Sequence, residues 1–233
     1  MVYMVVIIGF ISLAILFWLF WRLIYFHRNP KRIVPPGNDL VCPCDGHIIY
    51  CDDLEYGPLP IAEKGTEAPV YFQRVKDTFA LTGCWSVIAT YLSLFDVHLV
   101  RSPVSGKINF QHIDGIGRNR SMGWAMVAAI LKHPLPVRRR SYCDKNEFVA
   151  VKIDGDVSVM LVLMADSWIR QIDMYVENDT HVYRGQVIAK IRMGSQVDVW
   201  CPTTLVKYVR VVGEKVIGGE TIIGIIRYKD SIS

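Results

Sequence analysis

Three short segments of the sequence contain polar side chains whose types suit nucleophilic or acid–base chemistry. They are Cys42-Pro43-Cys44-Asp45-Gly46, the run from Leu94 to Pro103 with Asp96 and His98, and Met193–Asp198 with Gly194 and Ser195. A serine becomes a nucleophile when a neighbouring base such as histidine takes its proton, and a carboxylate can hold that base in position. Ser195, His98 and one of the two aspartates could therefore act together.

Each segment also has an ordinary structural explanation when it is considered alone. Asp45-Gly46 is typical of a tight turn. Strict alternation over residues 94–103 predicts a strand with Asp96 and His98 on one face, where a single histidine is more often a hydrogen-bonded core residue than a base. A Gly-Ser pair at the end of a strand is common. Only the combination of the three segments favours chemistry.

Other kinds of site have little support in the sequence. Gly115 and Gly117 are followed by Arg120 where a dinucleotide fingerprint needs its third glycine. The six histidines lack the His-x-x-x-His spacing of a metal site. The pair Cys42 and Cys44 lacks the two-residue gap of a zinc knuckle, so we expect free, reduced cysteines and no metal. A net charge of +4 is too small to predict nucleic-acid binding.

The elements that would position these segments are mostly short strands. From Leu40 onward, short apolar runs rich in Val, Ile and Tyr alternate with Gly, Pro or Asp, whereas Met122–Leu131 has the composition of a short helix. Val182–Ile191 and Val216–Ile225 repeat one pattern 34 positions apart, and we expect their apolar residues to face inward. The repeat resembles half of a barrel-sandwich hybrid. The predicted fold class is therefore mainly β (barrel-sandwich hybrid-like) with few short helices, preceded by one N-terminal transmembrane helix.

Residues 1–27 are predicted to be a membrane anchor. The twenty residues of Val2–Trp21 carry no charge, and at about 1.5 Å per residue such a helix spans a hydrocarbon core of roughly 30 Å. This length excludes a fully soluble protein as the first interpretation. The run ends in aromatic residues instead of the small residues of a signal-peptide cleavage site, which favours a retained anchor over a cleaved signal peptide. Basic residues follow it: Arg22, Arg28, Lys31 and Arg32. The positive-inside rule predicts a single-pass protein with residues 28–233 on the cytoplasmic side.

Taken in order, the three segments resemble the phosphatidylserine decarboxylase family. The matching blocks are CPCDG (42–46), FDVHLVRSPVSGKI (95–108) and VYRGQVIAKIRMGSQVDVWCP (182–202), with YFHRNPKRIVPPG (25–37) and GEKVIGGETIIGII (213–226) similar to the family's flanking segments. The resemblance covers nearly all of the chain after the apolar run. It departs from the family at Cys42, where serine is usual, at Gln196, where a basic residue is frequent, and in residues 163–172, where the match is loose although Arg170 aligns.

The resemblance implies a catalytic domain at residues 28–233 that cleaves itself into chains 1–194 and 195–233. Ser195 would attack the carbonyl carbon of Gly194, and residue 195 would become a pyruvoyl group, which is the family's cofactor. His98 carries over as the base and Asp45 as the group that orients it. Asp96 competes for that second role, and Arg170 is a further supporting residue.

The resemblance also implies the reaction. The pyruvoyl ketone would form a Schiff base with the amine of phosphatidylserine, carbon dioxide would leave, and His98 would return a proton before phosphatidylethanolamine is released. The expected enzyme is a pyruvoyl-dependent carboxy-lyase. Its expected partners are the phospholipid substrate, the membrane and the association of the two self-cleaved chains, without nucleic acid. A homo-oligomer is left open.

Two other functions are left open by the residues. A non-enzymatic, membrane-anchored binding module of the same hybrid fold would account for the anchor, the strands and the repeat, but not for Asp45, His98 and Gly194-Ser195 occurring together. A decarboxylase for another serine-headed lipid, such as archaetidylserine, would share the headgroup chemistry. The sequence does not separate the two lipid substrates, because the apolar chains are recognised by unspecific surface.

Overall fold

The structure, a computed structural model, describes residues 2–54, 70–136, 139–166, 172–191 and 195–227. The N-terminal segment forms helix α1 (Val2–Leu23), which is followed by a 3₁₀ turn at Tyr25–His27. Within Tyr3–His27, a window of 18 residues has a mean hydropathy of 2.6 and is not buried. Among the described residues, this is the one helix that is long and apolar enough to cross a membrane. The chain divides into two compact units, Met1–Lys31 and Arg32–Ser233.

The second unit is built mainly from antiparallel strands. Its described residues contain helices α2 (Val70–Thr78), α3 (Gly123–Leu131) and α4 (Ser141–Lys145). The strands are β1 (Leu40–Val41), β2 (Gly46–Leu54), β3 (Trp85–Leu92), β4 (Leu99–Arg101), β5 (Gly106–Ile113), β6 (Phe148–Asp154), β7 (Ser158–Ala165), β8 (Ile172–Met174), β9 (His181–Val182), β10 (Val187–Ile191), β11 (Ser195–Pro202), β12 (Val206–Tyr208), β13 (Lys215–Val216) and β14 (Ile222–Ile226). The predicted fold class, mainly β with few short helices after one apolar N-terminal helix, is confirmed. The helix predicted at residues 122–131 is α3.

The strands form one large sheet and two small ones. Their orders are β13-β2-β3-β11-β7-β6-β5-β9, β1-β14-β12 and β4-β10-β8. Strand β11 lies inside the large sheet, where Ser195 is opposite Leu92 of β3 on one side and Ala165 of β7 on the other. A strand that is hydrogen-bonded on both sides holds its first residue in a fixed position.

Strand β11 separates two apolar cores, because successive side chains of a strand point to opposite faces. Val199 packs on one face with residues of the two small sheets. Ser195 belongs to the same face, because it is four positions from Val199 along the strand. Trp200 packs on the other face with residues of α2 and α3, and the ring of Phe72 stacks on it with 4.9 Å between centroids. Asp198 belongs to this second face and is completely buried.

The internal repeat forms two similar units, each a short strand, a turn and a longer strand. The turns are closed by Gly185 and Gly219 with φ of +82° and +80°, in the left-handed region that glycine enters without steric cost. The inward-facing prediction holds for β10 but is wrong for Ile225, which is 45% exposed while Ile226 is buried. The turn between β13 and β14 is one residue longer than the turn between β9 and β10, because β14 begins only after Thr221. The inward-facing positions of β14 are therefore shifted by one residue relative to those of β10.

The strand predicted for residues 94–103 is mostly a turn. Strand β3 ends at Leu92, and pairing resumes only in β4. The Asp96 carboxylate accepts hydrogen bonds from the Ser93 main-chain N–H at 2.8 Å and from Ser93 Oγ at 2.6 Å, which closes the turn. Short polar side chains that bind nearby backbone in this way compete with strand formation. Of the predicted strand, only Leu99–Arg101 is paired, as β4, so Asp96 and His98 lie in the turn before it and not on a strand face.

Candidate active site

Ser195 is the first residue of β11 and has no exposed surface. Within the described residues, its Oγ has no hydrogen-bond partner. Leaving a buried hydroxyl without a partner destabilises the folded protein by about 1–3 kcal/mol. An unpartnered polar atom at the end of an interior strand is therefore a candidate for a reacting group.

His98 lies near the end of β11 at which Ser195 is found, and it is almost completely buried. Two routes along the chain place it there. The Ile191 N–H donates to the His98 carbonyl oxygen at 3.0 Å, and the four steps from Ile191 to Ser195 span at most about 14 Å. On the other route, the turn that contains His98 begins directly after Leu92, the residue opposite Ser195.

The His98 ring is oriented by the main chain of Asp96. Its Nδ1 lies 2.9 Å from the Asp96 carbonyl oxygen. Because a carbonyl oxygen only accepts hydrogen bonds, Nδ1 carries a proton, and in the neutral form of the ring the lone pair is therefore on Nε2. The Asp96 carboxylate itself is bonded to Ser93. The structure thus gives Asp96 a contact with His98 through its backbone.

Asp45 lies in the turn between β1 and β2, and its carboxylate takes part in an ion pair. Arg32 Nη2 donates to Asp45 Oδ1 and Oδ2 at 2.9 and 2.7 Å, and the Gly218 N–H donates to Oδ1 at 2.8 Å. Both side chains of the pair are largely shielded from solvent. The described hydrogen bonds of Asp45 therefore join the segment before β1 to the turn before β14.

Arg101 is a neighbour of this ion pair that the sequence did not single out. Its Nη1 donates to the Gly185 carbonyl oxygen at 3.0 Å, and its Cδ approaches the position of a Cβ on Gly219 to 3.0 Å. Burial and, after it, the nearby Arg32 charge lower the pKa of Arg101. Arg101 therefore connects the turns of the two repeat units to β4, the strand that follows His98. Its place in the motif FDVHLVRSP was the available indication.

A second polar group was also missed, on the opposite face of β11. Tyr50 Oη donates to Asp198 Oδ2 at 2.7 Å, and Gln196 Nε2 donates to Tyr50 Oη at 2.8 Å and to Asp198 Oδ1 at 2.6 Å. The Tyr142 hydroxyl donates to Gln196 Oε1. Burial raises the pKa of Asp198 to about 7, against the lowering effect of the Tyr50 and Gln196 hydrogen bonds. Two polar residues at alternate positions of an apolar strand were the indication in the sequence.

Gly194 and Arg170, two of the predicted site residues, lie outside the described residues. The predicted cleavage position and the supporting role of Arg170 therefore stay predictions. All six cysteines are free thiols. In the described ranges, no three His, Cys, Asp or Glu side chains come together as a metal site.

A group formed from Ser195 itself fits this environment. Conversion of the Ser195 side chain would break no hydrogen bond of its Oγ, since this atom has no partner among the described residues. Ser195 has no exposed surface, and the apolar core that contains Val199 packs along this face of the strand. A histidine with a defined tautomer lies at the same end of the sheet.

A model of the family described as phosphatidylserine decarboxylase matches residues 19–224. This range includes Asp45, Asp96, His98 and Ser195, together with nearly all of the second compact unit. The match agrees with the family that the motifs of the sequence resemble.

Three relatives of this chain are similar over most of their length. A putative archaetidylserine decarboxylase proenzyme of Methanocaldococcus jannaschii is 30% identical over 206 residues, which are 88% of this chain and 89% of the relative. A phosphatidylserine decarboxylase proenzyme of Carboxydothermus hydrogenoformans is 26% identical over 91% of this chain and 84% of the relative. One of Rickettsia bellii is 33% identical over 86% of this chain and 73% of the relative.

Proposed function

The chain belongs to the phosphatidylserine decarboxylase family, and from this premise we propose that it decarboxylates a serine-headed phospholipid with a pyruvoyl group made from its own Ser195. The observation that carries the proposal is the buried, unpartnered Ser195 Oγ at the end of an interior strand, with His98 at the same end. The names of the relatives include proenzymes for phosphatidylserine and for archaetidylserine. Both lipids present the same serine carboxylate and amine.

The first reaction is self-cleavage before Ser195. His98 Nε2 takes the hydroxyl proton of Ser195, and Oγ attacks the carbonyl carbon of Gly194. The bond between that carbon and the amide nitrogen breaks, the nitrogen takes a proton, and an ester replaces the amide. Loss of the Cα proton of residue 195 then expels the Gly194 carboxylate and leaves dehydroalanine. Water hydrolyses the enamine, ammonia leaves, and residue 195 becomes a ketone at the start of the smaller chain.

In the second reaction, lipid decarboxylation, His98 is the proposed proton carrier. A pyruvoyl ketone at position 195 supplies the electron sink that side chains lack for the decarboxylation of an α-amino acid. The Asp96 carbonyl holds the Nδ1 proton of His98, so that Nε2 is the atom that holds a proton and returns it to the substrate carbon. The surrounding apolar core keeps bulk water from competing for that carbon.

Asp45 stays in the proposed catalytic set as the group that fixes the surroundings of the base. Its carboxylate neutralises Arg32 and binds the Gly218 N–H, and Arg101 of β4 lies beside that pair. Only Leu99 and Val100 separate Arg101 from His98 along the chain. We propose that Asp45 positions His98 through this cluster, whereas Asp96 orients it directly through its carbonyl oxygen.

The two cleaved chains are proposed to remain associated. After cleavage, β11 would belong to the smaller chain, yet it pairs with β3 and β7 of the larger chain along most of its length. Strand β14 of the smaller chain likewise pairs with β1 of the larger one. Separating the chains would expose both apolar cores.

Residues 1–27 are proposed to anchor the protein in the membrane, with the catalytic domain of residues 28–233 on the cytoplasmic side. Support comes from the length and hydropathy of α1 and from the basic residues that follow it. An anchor keeps the active site near a substrate that does not leave the bilayer. Protease added to intact cells should spare residues 28–233, and digestion from outside would contradict the proposed orientation.

The proposed function is tested by the intact mass and activity of the purified full chain. We expect one chain that ends at Gly194 and a second that begins at residue 195 and resists N-terminal sequencing. Ser195→Ala should abolish cleavage and activity. Ser86→Ala is the matched control, because Ser86 is a buried serine on the adjacent strand β3, and it should be cleaved and active.

Each outcome of this experiment distinguishes one function. An active, uncleaved wild-type chain would contradict the pyruvoyl mechanism. A folded wild-type chain that is neither cleaved nor active would favour the membrane-anchored binding module. Turnover of phosphatidylserine and of archaetidylserine, measured side by side, decides the lipid backbone.

A further inference from the structure

Helix α3 has the arrangement of side chains expected of a helix that meets lipid. The residues on its buried face are small: Ala125, Ala128 and Ala129. Its large side chains point outward and are 36–69% exposed: Trp124, Met126, Val127, Ile130 and Leu131. A surface helix of a soluble domain normally turns its large apolar residues toward the core. The outer face of α3 is therefore an exposed apolar surface.

A second exposed apolar feature is the turn between β3 and β4. Leu94 and Phe95 are 45% and 63% exposed there, although the motif that contains them leads directly to His98. Large apolar side chains that are exposed to water at the tip of a turn favour association of the protein with other surfaces. This unfavourable exposure is removed when a nonaqueous surface covers them. The hydrogen bonds of the Asp96 carboxylate with Ser93 fix the conformation of the turn, so Leu94 and Phe95 are exposed in a defined position.

Both features adjoin the end of β11 at which Ser195 lies. The turn starts after Leu92, which is opposite Ser195 on one side. On the other side Ser195 is opposite Ala165, and the next residue, Asp166, accepts a hydrogen bond at 3.3 Å from the main chain of Met122 at the start of α3. Ser195 is thus flanked by two elements that carry exposed apolar side chains.

The charge around α3 determines what kind of surface fits it. No acidic residue occurs from Gly115 to Cys143, whereas six basic residues do: Arg118, Arg120, Lys132, Arg138, Arg139 and Arg140. Arg140 is paired with Asp52 and largely shielded from solvent, so the other five supply the available positive charge. The guanidinium of Arg139 lies 3.8 Å above the Trp124 ring. A large aromatic residue beside lysines and arginines is typical of a segment at the headgroup level of a membrane. A second copy of the chain would bring the same cations together and is disfavoured.

We propose that α3 and the turn at residues 93–96 dock on the surface of an anionic bilayer and insert their apolar side chains among the lipids. The lipid headgroups would then enter the active site directly from the membrane at the Ser195 end of β11. This inference rests on the proposed function for the identity of the substrate. The docking itself concerns residues that take no part in cleavage or decarboxylation.

Photocrosslinking of the full chain in lipid nanodiscs tests the docking. p-Benzoylphenylalanine replaces Ile130, with Leu131 as a second site, in nanodiscs of phosphatidylcholine with or without phosphatidylglycerol, an anionic lipid that is not the substrate. Tyr183 is the control position, because it is 68% exposed and lies before the start of β10, a strand of roughly 17 Å whose other end leads to Ser195. The expected result is a lipid adduct at positions 130 and 131, increased by phosphatidylglycerol, with little at 183.

The mass of the adduct identifies the occupant of the α3 surface. A crosslink to a second copy of the chain, an adduct within the chain, or equal lipid labelling at positions 130 and 183 would overturn the proposal. Repeating the experiment in the Ser195→Ala chain separates docking from the proposed function, because that chain should still be labelled by lipid while it is neither cleaved nor active. If wild type is uncleaved but labelled, the docking proposal stands and the function fails.

An activity measurement provides a second test. Ile130→Glu should reduce decarboxylation of bilayer lipid about tenfold, mainly by weakening the docking of the site on the surface. The same variant should keep its activity on a short-chain, water-soluble phosphatidylserine. Tyr183→Glu should leave both activities unchanged. Equal losses on the two substrates would overturn the proposal, because they would place Ile130 in the chemistry or the folding instead.

Discussion

Ser195 and Asp198 are buried polar residues on opposite faces of β11, and they differ in their hydrogen bonding. On one face, Ser195 Oγ has no partner among the described residues. On the other face, the carboxylate of Asp198 accepts hydrogen bonds from Tyr50 and Gln196, and Gln196 accepts one from Tyr142. Both faces are equally shielded from solvent, so exposure does not distinguish them.

The difference between the faces separates a reacting group from a structural network. A polar network that is fully bonded specifies how its strands pack, and it changes little during a reaction. An unpartnered hydroxyl is free to approach a carbonyl carbon. We therefore expect substitutions on the Ser195 face to change chemistry and substitutions on the Asp198 face to change stability.

The largest expected effect is on the Ser195 face, at its base. His98→Ala should slow self-cleavage at least about 100-fold, since a positioned general base typically contributes 10²–10⁴-fold. Intact mass during incubation at neutral pH measures the rate. His112→Ala is the control, because His112 is an exposed histidine on β5. Rapid cleavage of a folded His98→Ala chain would show that another group activates Ser195.

The two aspartates should have smaller and different effects on the same rate. Asp45→Asn removes the charge that neutralises Arg32 and should slow cleavage strongly. Asp96→Asn keeps the carbonyl that binds His98 Nδ1 and weakens only the turn at Ser93, so its effect should be smaller. The opposite order, with normal cleavage in Asp45→Asn and little in Asp96→Asn, would make the Asp96 carboxylate the orienting group.

The sequence predicted those parts of the fold that local pattern determines. The apolar run at α1, the short strands, α3 and the two turns at Gly185 and Gly219 are all encoded within a few neighbouring residues. The order of the motifs also led to Ser195 and His98, which the strand pairing brings to one end of the sheet.

Contacts between distant parts of the chain were not predictable in this way. Asp45 is bound by Arg32 and by the backbone of Gly218, which is 173 positions away. Asp198 is bound by Tyr50, 148 positions away. The residues next to Asp45 or Asp198 in the sequence do not specify these hydrogen-bond partners, because the partners depend on which strands become neighbours in the fold.

On the Asp198 face, the pH dependence of stability is the next largest expected effect. Burial raises the pKa of Asp198 to about 7 in the folded protein, whereas the unfolded chain loses that proton near pH 4. Between these values the folded state binds more protons, so this group lowers the free energy of unfolding as pH rises from about 4 to about 7. Above that pH its contribution is constant.

Asp198→Asn should remove this dependence. The free energy of unfolding of the variant, relative to its parent, should rise with pH by about 1.4 kcal/mol per pH unit within that interval. Denaturant unfolding in detergent, in the uncleaved Ser195→Ala chain, measures a single-chain transition. A constant difference between pH 4 and pH 7 would show that Asp198 is ionised throughout and that its burial does not govern its titration.

Removal of a single hydroxyl from the network should have the smallest effect. Tyr50→Phe deletes the donor to Asp198 Oδ2 and the acceptor of Gln196 Nε2, and leaving buried polar atoms unpaired should destabilise the chain by about 1–3 kcal/mol. Tyr183→Phe removes the same hydroxyl from a side chain that is 68% exposed and should change stability by less than about 0.5 kcal/mol. In the otherwise wild-type chain, Tyr50→Phe should still cleave before Ser195 at a near-normal rate. A large loss of cleavage without loss of stability would break the contrast between the faces, because it would show that the Asp198 network acts on Ser195 across the strand.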